Sequence, residues 1–115
     1  MSFIDADDRP WGRWEEYLNE EGYRLKRIIV EPGERLSLQR HLHRSEHWII
    51  ARGTGVMTLD GKDWEISTGD YVAVPVEGVH RVRNTGAERL IIIETQLGIC
   101  DEDDIERFED DYGRV

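Results

Sequence analysis

The apolar residues of this 115-residue chain come in short alternating or continuous runs, each closed within a few residues by glycine, proline or acidic side chains. Side chains on a strand alternate between faces with period two, so such runs read as short strands. Tyr23–Glu31 reads as a strand and Pro32-Gly33-Glu34 as a turn. Leu36–His43 follows as a second strand and His47–Arg52 as a third, before Gly53-Thr54-Gly55 breaks the chain. Val56–Leu59 and Asp63–Ile66 flank Asp60-Gly61, a strong signal for a two-residue hairpin. Thr68-Gly69-Asp70 leads into Tyr71–Val74, Pro75–Gly78 turns again, and His80–Asn84 and Leu90–Gln96 follow as strands. Closely spaced strands and turns of this kind predict an antiparallel sandwich or barrel. Only the ends escape the pattern. Trp14–Asn19 fits one helical turn or a strand, and Asp103–Tyr112 would place Ile105, Phe108 and Tyr112 on one face of a short helix.

The length argues for a single domain, with its core over about residues 22–98 and a tail over 99–115. The single cysteine, Cys100, cannot close an internal disulfide, and Asp101, Glu102, Asp103 and Asp104 beside it would raise its pKa. A net charge of -10 argues against nucleic acid as a partner, because phosphate backbones demand basic surface. The acidity is concentrated in Asp101–Asp111, whereas Arg35–Arg52 is locally basic and suited to a small anion. The N-terminus lacks the basic and apolar regions of a signal peptide, and no apolar run approaches the ~20 residues that cross a bilayer. These features lead to the expectation of a soluble, cytoplasmic protein.

Three of the four histidines fall within seven residues, His41, His43 and His47, beside Gln39 and Glu46. On one strand Ser37, Gln39, His41 and His43 share a face. Imidazole nitrogens with carboxylate or amide oxygens suit a divalent transition metal, so the cluster is a candidate metal site. His47 is out of phase with Glu46, while Trp48 and Arg52 are in phase with it.

Two blocks carry this chemistry: Gly33-x5-Gln39-x-His41-x4-Glu46-x6-Gly53 and Gly69-x5-Pro75-x4-His80-x3-Asn84. They resemble the two signature motifs of the cupin superfamily, with Gln39 in place of the first histidine and with the glycine that usually lies two residues after the proline displaced to Gly78. The resemblance implies an all-β double-stranded β-helix with a short helical or irregular C-terminal tail. It makes Gln39, His41, Glu46 and His80 the ligands of one divalent ion, zinc, manganese or similar. Arg9-Pro10-Trp11-Gly12, Arg44-Ser45-Glu46-His47-Trp48 and the tail from Glu102 to Arg114 are similar to the type II mannose-6-phosphate isomerase domain. In that family the domain is usually the C-terminal part of a mannose-1-phosphate guanylyltransferase. Here no glycine-rich nucleotide-binding start precedes it, so a stand-alone cupin is expected.

That resemblance implies an aldose–ketose isomerase interconverting mannose 6-phosphate and fructose 6-phosphate through an enediol. A metal would stabilise the oxyanion, and a base with a pKa near neutrality would move the proton. His43 is the first candidate base, with His47 and Glu94 behind it, and the family motif adds Arg44 and His47 as functional positions. The phosphate needs a cation, and strand phase favours Arg52, with Trp48 beside it in the pocket. Arg40, Arg81 and Arg83 are out of phase and read as solvated, whereas Arg107 and Arg114 come from a tail that could fold over the pocket. Leu36, Leu38 and Leu42 on the outward face of the metal strand suggest a homodimer interface. The alternatives are a non-catalytic cupin binding a sugar phosphate or nucleotide sugar, and another cupin enzyme such as an epimerase or dioxygenase.

Overall fold

The computed structural model describes residues 2–114. Its eleven strands are β1 (Asp5–Arg9), β2 (Gly12–Glu20), β3 (Tyr23–Val30), β4 (Leu38–Arg40), β5 (Arg44–Arg52), β6 (Thr54–Leu59), β7 (Lys62–Ser67), β8 (Tyr71–Val74), β9 (His80–Asn84), β10 (Leu90–Gly98) and β11 (Glu106–Glu109). They form a six-stranded sheet in the order β1-β2-β3-β10-β5-β8 and a five-stranded sheet in the order β11-β4-β9-β6-β7, with antiparallel pairing throughout. This is the all-β double-stranded β-helix that the motifs imply.

The Asp60-Gly61 hairpin forms as the sequence predicts. Both residues take positive φ (48° and 81°), the pairing that a two-residue turn needs to match strand twist. Asp60 Oδ1 also accepts the Val79 N–H at 2.9 Å, tying the turn to the segment before β9. Gly12 is demanded by packing: a Cβ there would sit 1.9 Å from the Ile29 carbonyl oxygen, and its φ is +152°. It lets β2 run tight against β3, and Trp11 before it enters the core. The N-terminal segment therefore extends the large sheet.

The two sheets close over Val30, Ile50, Met57, Val82, Leu90 and Ile92, all fully buried. On the inner face of the large sheet, opposed residues form rows across β5, β10 and β3. Ile50, Ile92 and Ile28 make one row, Trp48, Glu94 and Lys26 the next, and Glu46, Gln96 and Arg24 the last. The face thus grades from apolar to polar along the strands, and the polar end forms the floor and wall of a cavity.

Several sequence expectations need correction. The tail is not helical, since Glu106–Glu109 pair with β4, whereas Trp14–Asn19 takes the strand alternative and belongs to β2. The second strand is only Leu38–Arg40, because the Asp104 carboxylate takes the Leu42 and His43 N–H groups (2.9 Å each) that a longer ladder would use. Leu36 lies in the core, not on an outer face with Leu42, which removes that argument for a dimer interface. The position two residues after Pro75 is filled by a glutamate in a left-handed conformation. Glu77 itself adopts φ 68°, and its N–H bonds the His41 carbonyl at 2.8 Å. Among the described residues no helix is long and apolar enough to cross a membrane.

Candidate metal centre and anion pocket

His41, Glu46 and His80 converge inside the barrel, each buried, with one ligand atom apiece lying within 4.8 Å of the others. Three different segments supply them: the loop after β4, the start of β5 and the start of β9. The Glu77-to-His41 backbone bond locks two of those segments together.

The histidine rings are oriented by backbone. His41 Nδ1 lies 2.7 Å from the Asp104 carbonyl and His80 Nδ1 lies 2.9 Å from that of Gly78. A carbonyl only accepts, so each Nδ1 carries a hydrogen and each Nε2 is turned toward Glu46. His41 Nε2 is 3.1 Å from Glu46 Oε2 and His80 Nε2 is 3.5 Å from Oε1. The Gly78 carbonyl thus aims a ligand ring.

Burial pushes the Glu46 carboxyl up, yet the His41 and His80 rings beside it hold it well below the ordinary carboxylate range. Burial lowers His80, and Glu46 more than reverses that, so its pKa is raised. His80 Nε2 is nevertheless a buried nitrogen without a hydrogen-bond partner. Two imidazole nitrogens facing one carboxylate, one of them orphaned, are a donor set that fits a divalent transition ion. Gln39 lines the same cavity, with its Oε1 accepting from Ser37 at 2.7 Å, and pairs directly across from His80.

Above the triad lies a cavity of about 90 Å³ that opens to solvent. Trp48 is buried in its wall, donating to Glu46 Oε1 at 3.3 Å and meeting His80 edge-on. Arg44 also lines it and binds Glu46 Oε2 through Nε and Nη2, at 3.1 and 3.0 Å. Glu94 is pushed up to about 8 by burial and by the charge of Glu46, so it holds its proton far more tightly than an ordinary carboxylate.

Three other expected residues are not part of this site. The His43 side chain is 59% exposed, because the strand ends before the phase can carry it inward. His47 points to the opposite face of β5, between Ser45 Oγ (3.2 Å) and Tyr71 Oη (2.6 Å). Arg52 is exposed because a register shift at Ile91/Ile92 breaks the phase linking it to Glu46. Arg81, expected in solvent, is instead buried against the Leu36 carbonyl and Glu109.

The tail does fold over the pocket, bringing Glu102, Ile105, Arg107 and Arg114 to its lining. Lys26 and Gln96 line it too and had not been foreseen. The signal was present: Arg24 and Lys26 continue the phase of buried Ile28 and Val30, and Glu94 and Gln96 that of Ile92. A polar pair that continues an apolar phase marks a buried polar wall.

Comparison with known proteins agrees with this architecture. A family model described as mannose-6-phosphate isomerase C-terminal matches residues 5–110. The alginate biosynthesis protein AlgA of Pseudomonas aeruginosa is 46% identical over 108 residues, covering 93% of this chain and 22% of that protein. The mannose-1-phosphate guanylyltransferase of Escherichia coli K12 is 41% identical over 108 residues, covering 93% and 23%. The chain thus spans about a fifth of the length of the curated relatives it matches. The Cnp3 cupin domain of Schizosaccharomyces pombe superposes with a TM-score of 0.73 at 15% identity, over 75% of this chain and 64% of that one, a likeness of fold alone. These relatives overturn the expectation that the chain is a mannose 6-phosphate–fructose 6-phosphate isomerase. They are named for guanylyl transfer and alginate biosynthesis, and the matched part is a minor share of each.

Proposed function

Because the chain belongs to the mannose-6-phosphate isomerase C-terminal family, we propose that it is a metal-centred binding domain for a phosphorylated sugar. The observation that carries this reading is the buried His41–Glu46–His80 triad, with its orphaned His80 Nε2, beneath a cavity lined by arginine and lysine in a chain of net charge -10. His41, Glu46 and His80 would hold one divalent ion, zinc or manganese, with Gln39 beside them. When bound, the ion would polarise ligand hydroxyl or carbonyl oxygens.

The chain's own groups supply the rest. Trp48 and Arg44 fix the Glu46 carboxylate, and the Asp104 and Gly78 carbonyls fix the rings. Protonated Glu94 and Gln96, joined by a 2.6 Å hydrogen bond, offer neutral polar atoms to sugar hydroxyls, and Gln96 Oε1 has no partner of its own. The mannose-1-phosphate guanylyltransferase relatives make mannose phosphates the probes to use.

The test is calorimetric titration of mannose 1-phosphate and mannose 6-phosphate into protein of measured metal content, before and after chelation. Near-stoichiometric metal, with sugar-phosphate affinity that collapses on chelation and in His80→Ala, is the expected result. Protein without metal, or affinity indifferent to chelation, would overturn it.

A further inference from the structure

We propose that Arg107, flanked by Arg9 and Arg114, is the seat for a phosphate group in this cavity. This deepens the sugar-phosphate reading and rests on it.

Five cationic side chains line the cavity, and their partners separate them. Arg44 is spent on Glu46 and on the Asp101 carbonyl. Lys26 bonds Glu102 and lies over the Trp14 ring at 4.3 Å. Arg114 is held bidentately by Asp110, at 2.7 and 3.1 Å. Arg9 has one partly exposed contact, 3.3 Å to Asp7, of the kind that is worth little. Arg107 alone has no ion pair among the described residues, and its Nε is buried without a hydrogen-bond partner.

A buried, unpaired guanidinium donor is costly, and native structures satisfy such groups with protein, water or ligand. The surroundings of Arg107 point to an anion. Its pKa is lowered by burial and next by the charge of Arg114, with Arg9 adding to that effect, while Asp110 and Glu102 offset only part of it. Positive charge is thus crowded around a donor that has no partner among the described residues.

Strand register sets the direction. Arg107 on β11 opposes Gln39 on β4, which opposes His80 on β9. Directly opposed residues project to the same side of a sheet, so Arg107, Gln39 and His80 form one row. Two strand spacings put the backbone of Arg107 about 10 Å from that of His80. A ligand with a phosphate at one end and hydroxyl or carbonyl oxygens at the other can reach both ends of this row. Arginine suits the phosphate end because its planar fork donates two parallel hydrogen bonds to phosphate oxygens.

The experiment uses the chelated protein and inorganic phosphate as the probe, with the arginine Nε–H resonances followed by NMR. The expected result is saturable movement of the Arg107 resonance, with smaller shifts at Arg9 and Arg114. Arg107→Gln should weaken phosphate and mannose 6-phosphate binding roughly ten- to a hundredfold, the range for charge-assisted hydrogen bonds. Its metal content should stay at the parent level, and Arg107→Lys should recover only part of the affinity. Arg83→Gln, outside the cavity, should change nothing. Shifts centred on Arg44 or Lys26, or unchanged affinity in folded Arg107→Gln, would overturn the assignment. The parent spectra decide the matter even if the variant fails to fold. Phosphate seating at Arg107 in a protein that never takes up metal would sink the metal reading and leave this one standing.

Discussion

Replacing Glu46 with glutamine tests the centre by its cost in stability as well as by metal uptake. Glu46 is 2% exposed and its partner Arg44 has a side chain that is 7% exposed, with Nη2–Oε2 at 3.0 Å. At that separation and an effective dielectric of about 20, the attraction is roughly 5 kcal/mol. Removing one member of a buried pair costs about 3–5 kcal/mol, because the other charge stays buried. The structure argues for the lower end. The charge of Glu46 is, after burial, the largest cause keeping Glu94 protonated, and Lys26 and Arg44 pull the other way. With Glu46 neutral, Glu94 can ionise at pH 7 and partly compensate Arg44. Glu46→Gln should therefore lose about 3 kcal/mol, and the Glu46→Gln/Glu94→Gln pair nearer 5. For a chain of this size, about 4 °C per kcal/mol gives a drop in Tm of about 12 °C for the single variant, measured by circular dichroism in chelator. Added zinc or manganese should raise the parent Tm and leave the variant unmoved. A metal-free variant melting within about 3 °C of the parent would refute the Glu46–Arg44 pairing. A variant that keeps full metal content would refute Glu46 as a ligand.

Acid should destabilise the protein through its tail. Hydrogen bonds from Arg114 hold Asp110 down to about 2, and Glu102 is lowered because Lys26 and Arg24 outweigh the upward push of burial. Both folded values lie below the unfolded ones, so this stability is complete above about pH 5 and is lost as pH falls toward about 2. The urea midpoint should fall over that window, and Asp110→Asn should flatten its lower part. Glu77→Gly should raise the urea midpoint by about 1 kcal/mol of stability, because a glutamate at φ 68° pays for a left-handed backbone that glycine adopts freely; a loss instead would show that the strain is absent. Ile92→Ala, at a fully buried position between the sheets, should cost about 2–5 kcal/mol by denaturant unfolding while leaving metal content unchanged.

The fold was legible because period-two alternation and turn residues are local signals. Asp60-Gly61 specifies its hairpin wherever it occurs, and Leu90–Gln96 shows its inner face directly. The two motifs also located His41, Glu46 and His80, whose side chains meet in the structure. What failed was phase carried past the point where a ladder ends. His43 shares the parity of Gln39, but Asp104, sixty-one residues away, captures the backbone N–H groups of Leu42 and His43 and stops the strand. Arg52 shares the parity of Glu46, but the bulge opposite Ile91 and Ile92 intervenes. Both interruptions come from partners distant in sequence, which a local reading does not contain.

The same limit explains why the anion seat could not be read by choosing among arginines. Parity selects side chains that face inward, but facing inward does not make a cation available. Arg44 faces the cavity and is neutralised within its own strand by Glu46, whereas Lys26 is neutralised by Glu102, seventy-six residues on. Arg81 has the parity of a solvated residue and is buried by the tail strand through Glu109. Availability depends on the whole set of pairings, and the acidic tail decides most of them. Its carboxylates engage Arg24, Lys26, Arg35, Arg40, Arg81 and Arg114 and, among the described residues, leave Arg107 without one. A tail carrying so much negative charge therefore folds over the cavity while, among the described residues, leaving the Arg107 guanidinium without an ion pair, in the same cross-strand row as His80. In the proposed arrangement the carboxylates of an acidic chain pair with the other cations and so determine where a phosphate group would seat.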